Sequence, residues 1–586
     1  MAMEQSIGSI LAVDCGTVTT KAILLDRVGG SYRFVARGET PTTIERPWED
    51  VAVGVLHAVE QIEEITGRTL LDSGGGLITP EDGSVGVDAF VALVSAAKPL
   101  EVVLAGLVRD LSLSSAERAA SGTYTTTRGI ISWDLEAGLV REEEQIQQIV
   151  DLRPEVVCIV GGTDGGAVIP VLRLVEATAL GCSMIEEDQR PQVLFAGNKA
   201  LRQRVASLIG EQTDVRPTDN VRPAAGIENL WGLRSELEAI YGQQKLKQMP
   251  GGRLLEDWSA TPVTPSAKAF SQLIQYIWHL DESPKGTLGI DIGAAHTTVA
   301  AAFDGSLHLN TDSDLGATFG SPRMMEEEPQ AVLRWMPSPM EIEEALAVCM
   351  NQTTRPWTIP QEAEELWLQQ AVLREVIRRT LQSARPGWTP GEALPHPNLM
   401  PIFDPILLSG GALTGAPRPG QVALIALDAI QPIGISTLLL DSHSLASVLG
   451  GVANLKPLAT VETLDNGGIV NLATVVAPVG AARKGDMILR VRIEYEEGGA
   501  LDVEVPYGSL EVLPLPPGQE AVLKLSPTRR YRFDVGLGGP GKGGRRRVRG
   551  GLAGLIIDAR GRPLRLPRDP KGRQAQVQQW LWDVGG

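Results

Sequence analysis

The feature that most constrains the fold of this chain is a strand–bend–strand segment that occurs twice, about half a chain apart. The first copy, LAVDCGTVTTKAILLD, covers residues 11–26, and the second, GTLGIDIGAAHTTVAAAFDG, begins at residue 286. In each copy, apolar residues precede an Asp-x-Gly bend and follow a pair of threonines, which predicts two buried strands joined by a polar turn. The alignment pairs Asp14 with Asp291, Gly16 with Gly293, and Thr20 with Thr297. A repeat on this scale is too long for a solenoid and indicates two related lobes.

Strands and helices alternate along most of the chain, which predicts an α/β protein with helices layered on sheets. Further strands are expected at 31–40, 100–108 and 155–166, and residues 191–210 are expected to form a strand, a turn and a helix. Amphipathic helices are predicted before Gly67, which acts as a stop, and over 360–386, which prolines bracket. Beyond about residue 460 the pattern alternates with frequent turns. We therefore predict three regions: a first lobe with insertions (1–280), a second lobe (281–460) and a β-rich domain (461–586).

The composition of the chain limits the binding partners and the cellular compartment that can be expected for it. The 586-residue chain carries a net charge of −18, which argues against a general nucleic-acid binder or a protein bound to anionic membranes. The four cysteines are far apart and form no metal or disulfide pattern. No apolar run is long enough to span a membrane, and no signal peptide is apparent. A reduced, cytoplasmic location is expected.

The first bend contains the residue types that hold a Mg²⁺–phosphate group. Asp14 supplies a carboxylate for metal-bound waters, and Gly16 lets backbone N–H groups approach closely. Thr17, Thr19 and Thr20 supply hydroxyl donors, and Lys21 supplies positive charge. The simpler interpretation is a hairpin turn with exposed polar residues, and this segment alone does not decide between the two.

The repeat and a third motif favour the phosphate interpretation. A second bend at 291–293 could face the first across a cleft, and the strand before Ser409-Gly410-Gly411 could bring a nucleoside against the backbone. This order of motifs resembles the ATPase superfamily of actin, sugar kinases and Hsp70 chaperones. The resemblance implies two actin-like (ribonuclease H-like) lobes around a nucleotide cleft. It also implies that ATP and Mg²⁺ are bound by Asp14 and Asp291 at the metal, by Gly16, Thr17, Thr19, Thr20, Lys21, Gly293, Thr297 and Thr298 at the phosphates, and by Ser409, Gly410 and Gly411 at the nucleoside.

A narrower resemblance covers roughly residues 9–456. The segments DCGTVTTKAILLD, CIVGGTDGGAV, VLFAGNKALRQRV, DNVRP and GIDIGAAHTTVA, in this order, are similar to the MutL family associated with glutamate mutase, which is unrelated to the mismatch-repair protein of that name. The resemblance implies an actin-like ATPase that acts as a chaperone or reactivating factor on an adenosylcobalamin-dependent mutase. The role is implied by kinship and does not follow from these residues.

The second bend departs from the family pattern Asp-x-Gly-Gly-Ala-Thr-Thr-Asp. Ala294 replaces a glycine, His296 a threonine, and Thr298 the final aspartate. The missing carboxylate is expected to weaken metal binding or hydrolysis, and Ala294 to cost backbone freedom. Nucleotide binding without fast turnover is therefore an open possibility. For His296, a satisfied loop histidine is favoured over a catalytic base.

Outside the repeat, Asp164 lies in a Gly-Gly-Thr-Asp-Gly-Gly turn after a predicted strand. It is either a turn residue or a third catalytic carboxylate beside Asp14 and Asp291, able to orient a water or help hold Mg²⁺. Asn198 is a weaker candidate for a cleft contact. Cys15 and Cys158 are interpreted as small buried residues and not as nucleophiles.

The stretch around residues 536–542 begins like a P-loop, but Gly543 stands where the metal-binding Ser or Thr is required. The basic stretch at 529–549 is interpreted as a flexible loop. The alternative is a docking site for an acidic partner, a phosphate-bearing cofactor or RNA.

Three functions remain open from the sequence. The leading hypothesis is a Mg²⁺-dependent ATP-binding protein or weak ATPase that remodels a partner protein as its lobes open and close. The second is a small-molecule kinase on the same fold, with Asp164 as its extra carboxylate. The third is a nucleotide-binding scaffold with little turnover.

Overall fold

The computed structural model describes residues 7–132, 142–280, 285–388 and 399–585. The chain forms two compact units: unit 1 comprises residues 1–96, 254–308 and 314–586, and unit 2 comprises residues 97–253 and 309–313. Within the described residues, no helix is long and apolar enough to cross a membrane.

The secondary structure alternates between strands and helices over most of the described chain. The strands are β1 (Ser9–Cys15), β2 (Thr19–Val28), β3 (Ser31–Pro41), β4 (Ala89–Val94), β5 (Leu100–Gly106), β6 (Thr125–Ser132), β7 (Val156–Val160), β8 (Gln192–Phe195), β9 (Val215–Pro217), β10 (Thr264–Pro265), β11 (Gly286–Ile292), β12 (Thr297–Phe303), β13 (Ser306–Asp312), β14 (Phe403–Ser409), β15 (Gly434–Leu440), β16 (Val470–Ala477), β17 (Met487–Tyr495), β18 (Ala500–Pro506), β19 (Leu510–Leu513), β20 (Glu520–Pro527), β21 (Gly544–Arg549) and β22 (Leu555–Asp558).

The α-helices are α1 (Val51–Thr66), α2 (Ser114–Ser121), α3 (Glu142–Leu152), α4 (Ile169–Ser183), α5 (Arg202–Ile209), α6 (Trp231–Tyr241), α7 (Gly252–Trp258), α8 (Ser266–Leu280), α9 (Ser321–Glu327), α10 (Pro329–Leu333), α11 (Ile342–Thr354), α12 (Ala363–Ala384), α13 (Gly411–Thr414), α14 (Pro419–Ala429), α15 (Ala446–Leu455), α16 (Pro457–Asp465) and α17 (Pro570–Asp583). The predicted stop of α1 is confirmed, since Gly67 adopts the left-handed conformation after the last turn. The prolines predicted to bracket α12 lie just outside it.

The two copies of the repeat form two sheets with the same strand order. The first sheet runs β10-β4-β1-β2-β3, and the second runs β13-β12-β11-β14-β15 before it continues into β16-β22-β19. In both sheets the first strand of the copy pairs antiparallel with the second and parallel with the fourth. The fold class predicted from the sequence is confirmed: two related α/β lobes of the actin-like (ribonuclease H-like) type, followed by β-rich structure.

The register of the two hairpins matches residue by residue. Asp14 lies opposite Lys21 in the first hairpin, and Asp291 lies opposite Thr298 in the second. The strand ends also correspond: Cys15 pairs with Thr20, and Ile292 pairs with Thr297. The alignment made from sequence therefore holds in the hydrogen-bond ladders.

The C-terminal region contributes to two sheets. Strands β16, β22 and β19 extend the second lobe's sheet, whereas β18, β17, β20 and β21 form a separate four-stranded sheet in that order. The region is β-rich, as predicted, but part of it is continuous with the preceding sheet. The predicted boundaries at 280 and 460 remain predictions.

A buried ion network anchors the C-terminal region to the second lobe. Asp558, at the end of β22, accepts hydrogen bonds from Arg560 and from Arg562, at 2.9 and 2.6 Å. Arg560 also donates to Asp428 of α14 at 2.7 Å, and Arg374 of α12 donates to the same carboxylate at 2.8 Å. All five side chains are almost completely buried. Burial alone would raise the pKa of Asp558, but the two guanidinium groups hold it well below its usual range.

Helices α8 and α15 cross at very close range beside the two hairpins. An added Cβ at Gly450 of α15 would lie 1.8 Å from the carbonyl oxygen of Ala269 in α8. Only glycine permits this approach, so the residue fixes the distance between the two helices. Helix α8 also packs on β11 and β12, and α15 packs on β4. The helix pair thus connects the two sheets.

Unit 2 is built around a five-stranded sheet with strand order β6-β5-β7-β8-β9, and every pairing is parallel. The strands predicted near residues 100, 155 and 191 are all present in it. Because parallel strands end at the same edge, the turn at 161–166 and Asn198, which follow β7 and β8, lie at the carboxyl edge of this sheet.

Candidate functional site

The first hairpin turn is held by its own backbone and by the end of β3. The N–H of Gly16 donates to the carbonyl of Thr19 at 3.0 Å, and the Thr42 hydroxyl donates to the Gly16 carbonyl at 2.6 Å. The hydroxyl of Thr20 is buried and lies 3.1 Å from that of Thr42. A phosphate contact by Thr20 would require its hydroxyl to exchange this partner, and the role remains a prediction.

The second hairpin turn repeats this geometry. The N–H of Gly293 donates to the His296 carbonyl at 2.8 Å, and the buried Thr297 hydroxyl donates to the Leu315 carbonyl at 2.6 Å. The carbonyl of Ala294 accepts the amides of Thr318 and Phe319, at 2.9 and 3.0 Å. The φ angle of Ala294 is not positive, so the alanine adopts this backbone conformation without strain; its effect on the approach of a phosphate remains a prediction.

The tips of the two hairpins touch. The Thr17 hydroxyl lies 3.1 Å from Nε2 of His296, and the same ring nitrogen lies 3.2 Å from the carbonyl oxygen of Ser95. The two bends therefore face each other within unit 1, as the repeat predicted. His296 has hydrogen-bonding partners in this position, which agrees with the interpretation of a satisfied loop histidine.

Three charged side chains of the two hairpins, Asp14, Lys21 and Asp291, lie within electrostatic range of one another. Asp14 accepts a hydrogen bond of 2.6 Å from Ser266, the first residue of α8. Burial raises the pKa of Asp291 to about 6, and the negative charge of Asp14 adds to this effect, while Lys21 opposes it. Lys21 in turn donates to the Ser444 hydroxyl at 3.2 Å. The cluster thus has two carboxylates that repel each other and one neighbouring ammonium group.

The third motif adjoins the second hairpin through its backbone. Gly410 has a φ of +110°, and an added Cβ would lie 2.1 Å from the carbonyl oxygen of Ile292. An added Cβ at Gly411 would meet no atom within 4 Å. Gly410 therefore brings the end of β14 against the end of β11, whereas Gly411 borders open space.

Sequence reasoning missed a third carboxylate at this site. Asp441 follows β15 and is 1% exposed; it accepts the Ser409 hydroxyl at 2.9 Å and the amides of Leu445 and Ala446 at 2.7 and 2.9 Å. Burial raises the pKa of Asp441 even though these donors and the charge of Lys21 oppose the shift. The N-cap position of α15 is Leu445, so Asp441 lies outside the position that a capping signal marks. Asp441, Ser266 and Ser444 therefore carry no local signal that points to this site.

Asp164 and Asn198 lie in unit 2 and hold its turn together. Asp164 accepts the amide of Lys199 at 3.1 Å and the side chain of Asn220 at 3.0 Å. Partial burial would raise the pKa of Asp164, but these hydrogen bonds and the charge of Lys199 lower it overall. Asn198 is fully buried and accepts the amides of Gly165 and Ala200. These contacts account for both residues as turn residues, and a catalytic role for Asp164 remains a prediction.

Cys15 and Cys158 are fully buried, and burial raises the pKa of each thiol. They are small core residues, as the sequence predicted. Among the described residues, no group of three or more His, Cys, Asp or Glu side chains forms a ready-made metal site.

The fold and the site together define a duplicated actin-like α/β core whose two equivalent Asp-x-Gly hairpins meet tip to tip. The chain belongs to the MutL protein family, whose model matches residues 10–467.

A curated relative, Protein MutL of Clostridium tetanomorphum, is 24% identical over 300 residues, which is 50% of this chain. The match spans 58% of that relative's own length.

Similar solved structures include nucleotide-free acetone carboxylase (12% identical, covering 86% of this chain and 82% of that one, TM-score 0.34). A glycerol dehydratase reactivase is 11% identical, with 77% of this chain and 100% of that one covered and a TM-score of 0.29. Component A of the (R)-2-hydroxyglutaryl-CoA dehydratase of Acidaminococcus fermentans is 9% identical, with 78% and 96% covered and a TM-score of 0.25. At TM-scores this low, the fold assignment rests on the strand order and register described above.

Proposed function

We propose that this protein binds ATP with Mg²⁺ between the two hairpins of unit 1 and uses the bound nucleotide to act on a partner protein. The single observation that carries this proposal is the contact between the hairpin tips, where Thr17 and His296 meet close to the charged group of Asp14, Asp291 and Lys21. Two equivalent turns that bring carboxylates, hydroxyls and an ammonium group together suit a phosphate chain and its metal.

The donor set fits Mg²⁺. Asp14 and Asp291 are mostly buried but keep some accessible surface, and their mutual repulsion makes a cation favourable between them. Mg²⁺ prefers carboxylate and water oxygens and keeps part of its hydration shell. Bound there, it would neutralise phosphate charge, while Lys21 would approach the phosphates directly.

The nucleoside would lie against the open side of Gly411. Ser409 would not contact it directly, because its hydroxyl is committed to Asp441. We propose instead that Ser409 and Asp441 hold this loop to the start of α15, and that Ser266 holds Asp14 to the start of α8. Hydrolysis or release of the nucleotide would then affect α8 through Ser266 and α15 through Asp441.

We propose further that the partner is an adenosylcobalamin-dependent mutase, that the protein chaperones or reactivates it, and that both are cytoplasmic. Membership of the MutL family supports this role, since the family resemblance implies it. Slow turnover is favoured by one observation: Thr298 stands where the family pattern has an aspartate, and its side chain is buried. A nucleotide-binding scaffold is therefore the second candidate.

The decisive experiment is calorimetric titration of MgATP into the full chain and into Asp14→Ala. We expect binding by the parent and its loss in the variant; equal affinity in both would overturn the site assignment. Release of free phosphate that increases when the mutase is added would support remodelling, whereas phosphate transferred to a metabolite would identify a kinase. Tight binding without turnover, with or without the mutase, would identify the scaffold.

A further inference from the structure

The basic stretch near the C-terminus forms ordered β-structure with an uneven charge balance. β21 is the edge strand of the four-stranded sheet. Its arginines pair with acids of two other strands of the same sheet: Arg545 with Glu494 of β17 at 2.9 Å, and Arg549 with Glu520 of β20 at 3.2 Å. The arginine run is therefore largely neutralised within the sheet, contrary to its interpretation as a flexible loop.

Charge remains uncompensated at the other end of this strand pair. A cavity of about 370 Å³ lies where β20 ends and β21 begins, and its polar side chains are Lys524, Ser526, Arg529 and Arg545. Leu525, Pro527 and the glycines 541, 543 and 544 complete the wall. No carboxylate lines the cavity, and neither Lys524 nor Arg529 has an ion-pair partner among the described residues.

The sheet register adds an independent observation. Lys524 lies directly opposite Arg492 on one side and Arg545 on the other, so three cations form one row across β17, β20 and β21. Like charges directly opposite each other destabilise a sheet. Glu494 contacts Arg492 and Arg545, at 3.3 and 2.9 Å, but Lys524 in the centre is left without a counterion.

We propose that this cavity is a binding site for a small phosphate-bearing ligand. Ammonium, guanidinium and hydroxyl donors converge on it, which is the donor set that phosphate oxygens prefer. Its volume is that of a small-molecule site. An acidic protein segment running along β21 fits less well, because the arginines there already hold glutamates. In a chain of net charge −18, such a cationic cavity concentrates anions locally.

The test is calorimetric titration of inorganic tripolyphosphate into the full chain at low salt. Lys524→Glu/Arg529→Glu is expected to lower the affinity at least about tenfold. Lys247→Glu/Lys571→Glu makes the same change of net charge at exposed residues that do not line the cavity, and it is expected to retain the affinity within about twofold. Thermal unfolding of each variant checks that the fold is intact.

The variant Lys21→Met distinguishes tripolyphosphate binding at this cavity from binding at the proposed nucleotide site. Tripolyphosphate binding that survives in Lys21→Met but disappears in Lys524→Glu/Arg529→Glu supports the proposal. Equal loss in the two charge-reversal pairs would show a general field effect and overturn it. Tighter binding of a hexaglutamate peptide or of a single-stranded RNA than of tripolyphosphate would also overturn it, in favour of a protein or nucleic-acid surface.

Discussion

The hydroxyl of Thr17 lies 3.1 Å from Nε2 of His296, so two residues that are 279 positions apart join the tips of the two Asp-x-Gly hairpins. A phosphate chain entering between the tips would have to replace or rearrange this contact.

His296→Ala is expected to leave MgATP affinity unchanged or to increase it by up to about fivefold, since a hydrogen bond worth about 1 kcal/mol no longer has to be broken. Calorimetry on the full chain measures this. A tenfold weaker affinity would instead identify His296 as a nucleotide ligand. His296→Asn, which keeps a polar side chain at the tip, is the matched comparison.

Lys21→Met is expected to weaken MgATP binding by roughly 10- to 100-fold, because a charged hydrogen bond to phosphate contributes about 1.5–3 kcal/mol. Lys571→Met, an exposed lysine of α17, is the control and should bind like the parent. Equal affinities in all three proteins would exclude Lys21 from the site.

Gly450→Ala is expected to lower the thermal midpoint by several degrees, because the new methyl group would meet the Ala269 carbonyl at 1.8 Å. Overpacking of this kind typically costs about 1–3 kcal/mol. Gly242→Ala is the control, since an added Cβ there meets no atom within 4 Å. An unchanged midpoint in Gly450→Ala would show that α8 and α15 can separate without loss.

Asp164 can be tested with two substitutions that distinguish its roles. If Asp164 is a turn residue, Asp164→Asn should keep an acceptor for the Lys199 amide and stay close to the parent in stability, whereas Asp164→Ala should lose about 1–3 kcal/mol. If it is a catalytic carboxylate, both variants should lose ATP turnover equally. We expect the first result, measured by denaturant unfolding and by phosphate release.

Asp558→Asn is expected to destabilise unit 1 by roughly 3–5 kcal/mol, because it leaves Arg560 and Arg562 buried without their counter-charge. The pH dependence has a definite sign. The pKa of Asp558 is lowered in the folded protein. Its stabilising effect is therefore complete above the pKa that Asp558 has in the unfolded chain, near 4. The effect is lost as the pH falls from there towards the pKa of Asp558 in the folded protein. Acid unfolding of parent and variant should therefore converge below that pH; a constant difference at all pH values would contradict this account.

The sequence by itself determined the hairpins and their correspondence. An Asp-x-Gly bend between apolar runs fixes a turn through contacts only a few residues apart, so the correspondence of Asp14 with Asp291 and of Thr20 with Thr297 followed from the sequence and holds in the two strand ladders. The ends of α1 and α12 followed from capping and proline signals for the same local reason.

Only the tertiary structure decided which side chains surround the hairpins. Ser266 reaches Asp14 because α8 begins beside it, and Asp441 reaches Ser409 because β15 pairs with β14. The partners of the arginines in β21 depend on strand register, and the tolerance of Ala294 depends on its backbone angles. Such contacts join residues distant in sequence and arise from packing, for which a local pattern contains no signal.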